Sequence, residues 1–296
     1  MKRSLYYLFL LVTILFTACK TESPLAQLEQ QIKAELAKEK GIFAVAFKNL
    51  STGEEILISA RDSFHAASTM KTPVLIELYK QAAAGQFSLQ DSVWVKNEFK
   101  SIVDGSLYSM DIDDDSEGQL YNAIGSKRTI ADLAYDMIIY SSNLATNILI
   151  ELVDAKKVTQ SMRELGAPDI EVLRGVEDNK AYELGLSNST TAFDLMAIYE
   201  KLGRGEVVSE RASQEMIDIL LDQKFNEIIP AHLPKTVKVA HKTGVITAVH
   251  HDSGIVILPD GQKYVLVLLS RELGDFDSGT AKMADISKMI YDYVIQ

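Results

Sequence analysis

Residues 237–270 read VKVAHKTGVITAVHHDSGIVILPDGQKYVLVLLS. Three runs in this stretch, Val237–Val245, Gly254–Leu258 and Lys263–Ser270, are rich in aliphatic and β-branched residues and read as strands. Pro259-Asp260-Gly261 supplies the turn between the last two. Connections this short join antiparallel neighbours, because a parallel pair needs a long crossover. Working outward, Met283, Ile286, Met289 and Ile290 recur at helical spacing in a closing helix from Gly279 to Ile295. At the other end, Ser23-Pro24 is a helix start, followed by Leu25, Leu28, Ile32 and Leu36 and stopped at Gly41. Gly41–Phe47 and Glu54–Ser59 then read as two strands around a turn holding Asn49 and Gly53. The middle of the chain has helical spacing over Thr69–Ala84, Ile130–Tyr140, Asn143–Val153 and Thr190–Leu202. This order predicts a two-part α/β (α+β) architecture with one antiparallel sheet assembled from both chain ends.

The chain has 296 residues, 47% of them hydrophobic, enough to bury a substantial core. Its first 18 residues read as something else. Lys2 and Arg3 precede an apolar run from Leu5 to Phe16, which ends at small residues before Cys19. A basic start, a short apolar stretch and a small-residue cleavage site describe an export signal. Phe16-Thr17-Ala18-Cys19 also resembles a lipobox, with phenylalanine in place of the usual leucine, so Cys19 is expected to carry a lipid anchor. A periplasmic, membrane-anchored protein is the implied location, with 19–23 as a linker. Cys19 is the only cysteine, so no disulfide can brace the mature domain. The net charge is −11, and loss of Lys2 and Arg3 with the signal makes it more acidic still. That balance argues against nucleic acid and anionic lipid surfaces as partners.

Ser68-Thr69-Met70-Lys71 opens an apolar helix. A separation of three residues puts Ser68 and Lys71 on one helical face, within reach of a hydrogen bond. A serine hydroxyl needs a neighbouring base to become a nucleophile, and a lysine can be that base once burial or a second cation lowers its pKa. Ser141-Ser142-Asn143 lies at the junction of two helices, and Lys242-Thr243-Gly244 lies in the first C-terminal strand. A glycine beside a strand lysine lets a ligand approach the backbone. Alone, each of these tripeptides also fits a polar helix junction or an edge-strand lysine.

Together, S-x-x-K, S-x-N and K-T-G in this order resemble the class A β-lactamases and their penicillin-recognising serine hydrolase relatives. Phe64-His65-Ala66-Ala67 before the serine, Asn147 one turn after Asn143, and Thr190-Thr191 opening a helix extend the resemblance over residues 24–296. It implies an α/β part at 24–62 and 210–296 and an inserted helical part at 63–209. It implies that Ser68 forms an acyl-enzyme, that Lys71 shares its proton, and that Ser141 passes a proton to the leaving nitrogen. Asn143 would hold the substrate's side-chain amide, Lys242 would keep the site electropositive, and Thr243 would bind the substrate carboxylate. The oxyanion hole would be the N–H groups of Ser68 and of Val245, the residue after Gly244. The implied ligand is a β-lactam or a peptidoglycan peptide, with no metal or organic cofactor.

Two departures bear on the activity. Ser142 replaces the aspartate of S-D-N, which touches the β-lactamase reading more than acylation itself. The family's R-x-E-x-x-L-N loop, whose glutamate activates the deacylating water, reads Arg174-Gly175-Val176-Glu177-Asp178-Asn179 here. Glu177 is the expected water-activating residue, with Glu183 as the alternative and an ion pair from Arg174 to Glu177 or Asp178 as the purely structural reading. A D-Ala-D-Ala carboxypeptidase or esterase, and a sensor that stays acylated, need Ser68 and Lys71 equally. His251 could take the place of the arginine that often receives the substrate carboxylate, although an idle strand imidazole fits as well. His250 and His251 should face opposite ways, which disfavours a shared metal. The acidic run Asp111–Glu117 hints at a calcium loop but lacks its glycine and terminal glutamate, and reads as a solvated surface loop.

Overall fold

Along residues 264–269, Tyr264, Leu266 and Leu268 belong to one buried apolar cluster, and Val265, Val267 and Leu269 to another. A strand buried on both faces must have helices on both sides. In the computed structural model, which describes residues 23–296, that is the arrangement. The signal segment and Cys19 lie outside the described residues.

The sheet contains β1 (Ile42–Asn49), β2 (Glu55–Ile58), β3 (Lys238–Ile246), β4 (Val249–Ile257) and β5 (Lys263–Arg271), all antiparallel and ordered β2-β1-β5-β4-β3. The two chain ends meet where β1 pairs with β5, with Phe47 opposite Leu266. One face is covered by α1 (Pro24–Leu36) and α9 (Phe276–Val294). The helical side holds α2 (Lys71–Ala83), α3 (Ile130–Ile139), α4 (Asn143–Val153), α5 (Ala155–Glu164), α6 (Asn179–Glu183), α7 (Ala192–Gly203) and α8 (Glu210–Leu221). Helix α2 runs through the middle of this side, with every residue from Lys71 to Tyr79 buried. Short strand pairs tie the loops down, among them Phe64–His65 with Ser189–Thr190. Among the described residues no helix is long and apolar enough to cross a membrane.

Three differences from the expected elements have physical causes. Strand β4 begins at Val249, five residues before the expected Gly254, because His250, His251, Asp252 and Ser253 are buried polar residues that find hydrogen-bond partners. The helix expected from Thr69 starts at Lys71, and Ala67–Met70 forms a 3₁₀ turn before it. Helices α5, α6 and α8 were not anticipated, although each has a cap: Asp154, Asp178 and Ser209 accept from Lys156, Ala181 and Ala212 N–H groups.

Edge strand β3 positions the chemistry. Val239 faces the α1/α9 side and Ala240 the helical side, so alternation sends Lys242 and Gly244 toward the helices. There they meet the Ala67–Met70 turn.

Candidate active site

A cleft of about 310 Å³ opens where β3, the Ala67–Met70 turn, the start of α4 and the 174–179 loop come together. Ser68, Asn143, Glu177 and Val245 line it. Lys71, Ser141, Lys242, Thr243 and Gly244 are buried beneath or beside it. The residues singled out in the three motifs and the loop are therefore brought to one place, from positions far apart in the chain.

Ser68 sits on a strained turn. Ala67 has φ 45°, in the left-handed region, and its N–H donates to His65 Nδ1 at 3.0 Å. Thr69 N–H donates to the Ala66 carbonyl at 3.0 Å, and its hydroxyl donates there at 2.6 Å. These bonds hold the turn rigid, while the Ser68 hydroxyl has no hydrogen bond among the described residues. Gly244 is required beside it: a Cβ there would lie 3.0 Å from Ser68 N and 3.1 Å from Ala67 Cβ. That close approach puts the backbone of β3 against the Ser68 N–H, the arrangement a two-donor oxyanion hole needs.

The expected direct Ser68–Lys71 hydrogen bond is not formed. Lys71 Nζ points to the start of α4 instead, where three acceptors converge on it. It donates to Ser141 O at 2.6 Å, Ser141 Oγ at 3.1 Å and Asn143 Oδ1 at 2.9 Å. All three acceptors are neutral, and Lys71 is fully buried. Burial therefore pushes its ammonium down to about 7, against the pull of Asp115 and Glu177. Lys242, equally buried, is pushed well below its ordinary value by burial and by the Lys71 charge. Its Nζ donates to Ser141 Oγ at 3.0 Å and to the Thr243 carbonyl at 3.0 Å. Two lysines thus donate to one hydroxyl, which leaves the Ser141 proton free to point elsewhere. Ser141 itself is held at φ 59°, a further strained residue.

Glu177, at φ 61°, enters the cleft and accepts from Asn143 Nδ2 at 2.7 Å. Burial raises its carboxyl to about 6, which the Asn143 bond opposes. The alternative, Glu183, ends the short α6, is exposed and does not line the cleft. The loop is not braced by an ion pair from Arg174. Its guanidinium donates to the carbonyls of Leu186 at 2.8 Å and Gly175 at 2.9 Å. Asp178 accepts from the Ser101 hydroxyl and Ile102 N–H, both at 2.9 Å.

Asn147, read from the sequence only as part of the resemblance, holds Glu177 in place. Asn147 accepts from Val176 N–H at 2.7 Å and donates to the Val176 carbonyl at 3.0 Å. Gly175 belongs to the same device, because a Cβ there would fall 2.2 Å from Asn147 Oδ1. The acidic run is not wholly solvated. Asp115 accepts from Asn143 N–H at 2.9 and 3.0 Å and from Leu144 N–H at 2.9 Å, and Glu117 accepts from Gln119 and Leu120 N–H groups. His251 cannot receive a substrate carboxylate. It is fully buried, with Nε2 on the His65 carbonyl at 2.9 Å and Nδ1 accepting from Ser270 N–H at 3.2 Å. His250 faces the other way, stacked on Phe276 at 5.0 Å.

The chain resembles known proteins over nearly its whole length. It is 25% identical to β-lactamase Toho-1 of Escherichia coli over 251 residues, covering 82% of this chain and 80% of that protein. Its fold matches the structure of PBP-A with a TM-score of 0.78 at 27% identity, covering 93% of this chain and 98% of that one. A PBP-A mutant solved as its acyl-enzyme complex with penicillin G matches with a TM-score of 0.77 at 28% identity, over 93% and 98% of the two chains. The family model described as the β-lactamase enzyme family matches residues 27–294, and this chain, with its motif residues gathered in one cleft, belongs to that family.

Proposed function

We propose that this protein is an exported serine hydrolase that opens β-lactam rings through an acyl-enzyme on Ser68. The observation that carries the reading is the convergence of Lys71 and Lys242 on Ser141 Oγ, beside a serine that lines the cleft.

Neutral Lys71, its Nζ swung from the start of α4 toward Ser68 once substrate is bound, takes the Ser68 proton as Oγ attacks the lactam carbonyl carbon. The oxyanion forms against the N–H groups of Ser68 and Val245. As the C–N bond breaks, Ser141 donates its proton to the nitrogen and is reprotonated from its lysine neighbours. A substrate carboxylate bound near Thr243 draws Lys242 back to its ammonium form, which then holds the region positive. Water then attacks the ester as Glu177 takes its proton; the acyl–oxygen bond breaks, that proton passes to the departing Ser68 Oγ, and the acid product leaves with Ser68 and Glu177 restored. The Glu177–Asn143 bond favours hydrolysis over a permanently acylated sensor, because it places a carboxylate of raised pKa in the cleft. The acyl-enzyme complex of the PBP-A mutant with penicillin G supports the first half of this path. The leader at 1–18 and Cys19 support export and attachment to the membrane by lipid.

Hydrolysis of a chromogenic cephalosporin tests the proposal. The wild type should turn it over, and Ser68→Ala should not while melting at the same temperature. Equal rates in the two proteins would refute it.

A further inference from the structure

Helix α4 begins inside the catalytic network, and the first N–H groups of a helix have no intrahelical acceptor. Here each finds one. Ala145 N–H donates to Ser142 Oγ at 3.2 Å, and Asn143 and Leu144 N–H donate to the Asp115 carboxylate at 2.9 Å each. Asp115 Oδ2 also accepts from the Tyr121 hydroxyl at 3.2 Å. An anion at a helix N-terminus is favoured by the helix dipole as well. Ser142 is fully buried, and it stands where the motif otherwise has an aspartate. The negative charge at this helix start comes instead from a loop some thirty residues upstream, at Asp115.

We infer that Asp115 is a positioning residue for acylation, fixing the first turn of α4 so that Asn143 Oδ1 and the Ser141 carbonyl meet Lys71 Nζ. Both of those Lys71 acceptors lie within two residues of the N–H groups that Asp115 binds. Asp115 also acts on Lys71 by charge. The charged groups facing Lys71 are Asp115 from this loop, Glu177 from the loop before α6 and Lys242 from β3. The two carboxylates favour its ammonium, and burial opposes it. Removing Asp115 therefore leaves Glu177 alone against burial, and Lys71 becomes easier to deprotonate. Geometry and charge pull apart: losing Asp115 disorders the acceptors but widens the pH range in which Lys71 is neutral.

The inference rests on Ser68 and Lys71 acting as proposed above, and the test separates the two. Rates of covalent labelling by benzylpenicillin are measured against pH for the wild type, Asp115→Asn, Asp115→Ala and Asp113→Asn. Asp113 is exposed on the same loop and serves as the control. Asp115→Ala should slow labelling at the plateau on the order of a hundredfold, and Asp115→Asn, which keeps an acceptor, on the order of tenfold. In both, the acid limb should move to lower pH, and Asp113→Asn should match the wild type. A variant that only melts earlier, with wild-type plateau and acid limb, would assign Asp115 a purely structural role and overturn the inference. Wild-type protein that never labels would instead overturn the Ser68 mechanism, and this inference with it.

Discussion

Asn143 donates to Glu177 Oε1 at 2.7 Å through its Nδ2, while its Oδ1 accepts from Lys71 at 2.9 Å. One amide thus connects the proton acceptor proposed for acylation with the one proposed for deacylation. Its orientation is fixed by those partners, since only the oxygen can face an ammonium and only the nitrogen a carboxylate. In the proposed path the two half-reactions therefore share a scaffold but not a base.

Glu177→Gln should still acylate but accumulate a long-lived adduct. The amide keeps shape and hydrogen bonding but cannot take the water's proton, so hydrolysis should fall by roughly 10²–10⁴-fold. Turnover at the wild-type rate would remove Glu177 from the mechanism. Glu183→Gln, at an exposed position away from the cleft, should behave like the wild type.

Glu177→Gln should also stabilise the fold. The Glu177 carboxyl is raised from 4.5 to about 6, so the folded state holds its proton more tightly than the unfolded state does. Stability therefore declines as pH rises through that window, by at most about 2 kcal/mol, reduced by solvent screening at this partly buried site. Glu177→Gln should melt higher than the wild type above that window, and the gap should close below it. Denaturant titrations at several pH values check this, and a constant gap would contradict it.

Acylation and deacylation should have different acid limbs. Labelling should rise as Lys71 loses its proton near 7, and adduct decay as Glu177 loses its proton near 6. Single-turnover measurements resolve the two, with the values belonging to the coupled network. Coincident limbs would show that one group serves both steps.

Asn147→Ala should loosen the Glu177 loop without touching Lys71. It strands the Val176 N–H, which now donates to Oδ1, and one acceptor bond of its carbonyl, a cost of about 1–3 kcal/mol when buried. Adduct decay should slow more than adduct formation. Equal slowing would mean that Asn147 acts on the cleft as a whole.

The sheet was legible because residues 237–270 and 42–49 repeat the pattern of strands covered on both faces. Helix α2 was legible from its unbroken apolar run. Strand β4 was read short because four buried polar residues look like a loop until Ser270, Thr280, Ile229 and His65 are placed around them. The gathering of Ser68, Lys71, Ser141 and Lys242 followed from motif order, but the absence of a direct Ser68–Lys71 bond did not. It depends on the acceptors that Ser141 and Asn143 offer Lys71, some seventy residues away in the chain and brought there only by the fold. Asp115 was unreadable for another reason. A carboxylate in an acidic run has the sequence appearance of solvated surface, and only the fold brings it to the start of α4.

Time-resolved intact mass measurement of the wild type mixed with benzylpenicillin tests the central claim most directly. The account predicts one adduct of the mass of the opened penicillin, located by proteolysis on the peptide containing Ser68, which forms and then decays to free protein. Ring opening with no adduct ever detectable on Ser68, or an adduct on another residue, would contradict it.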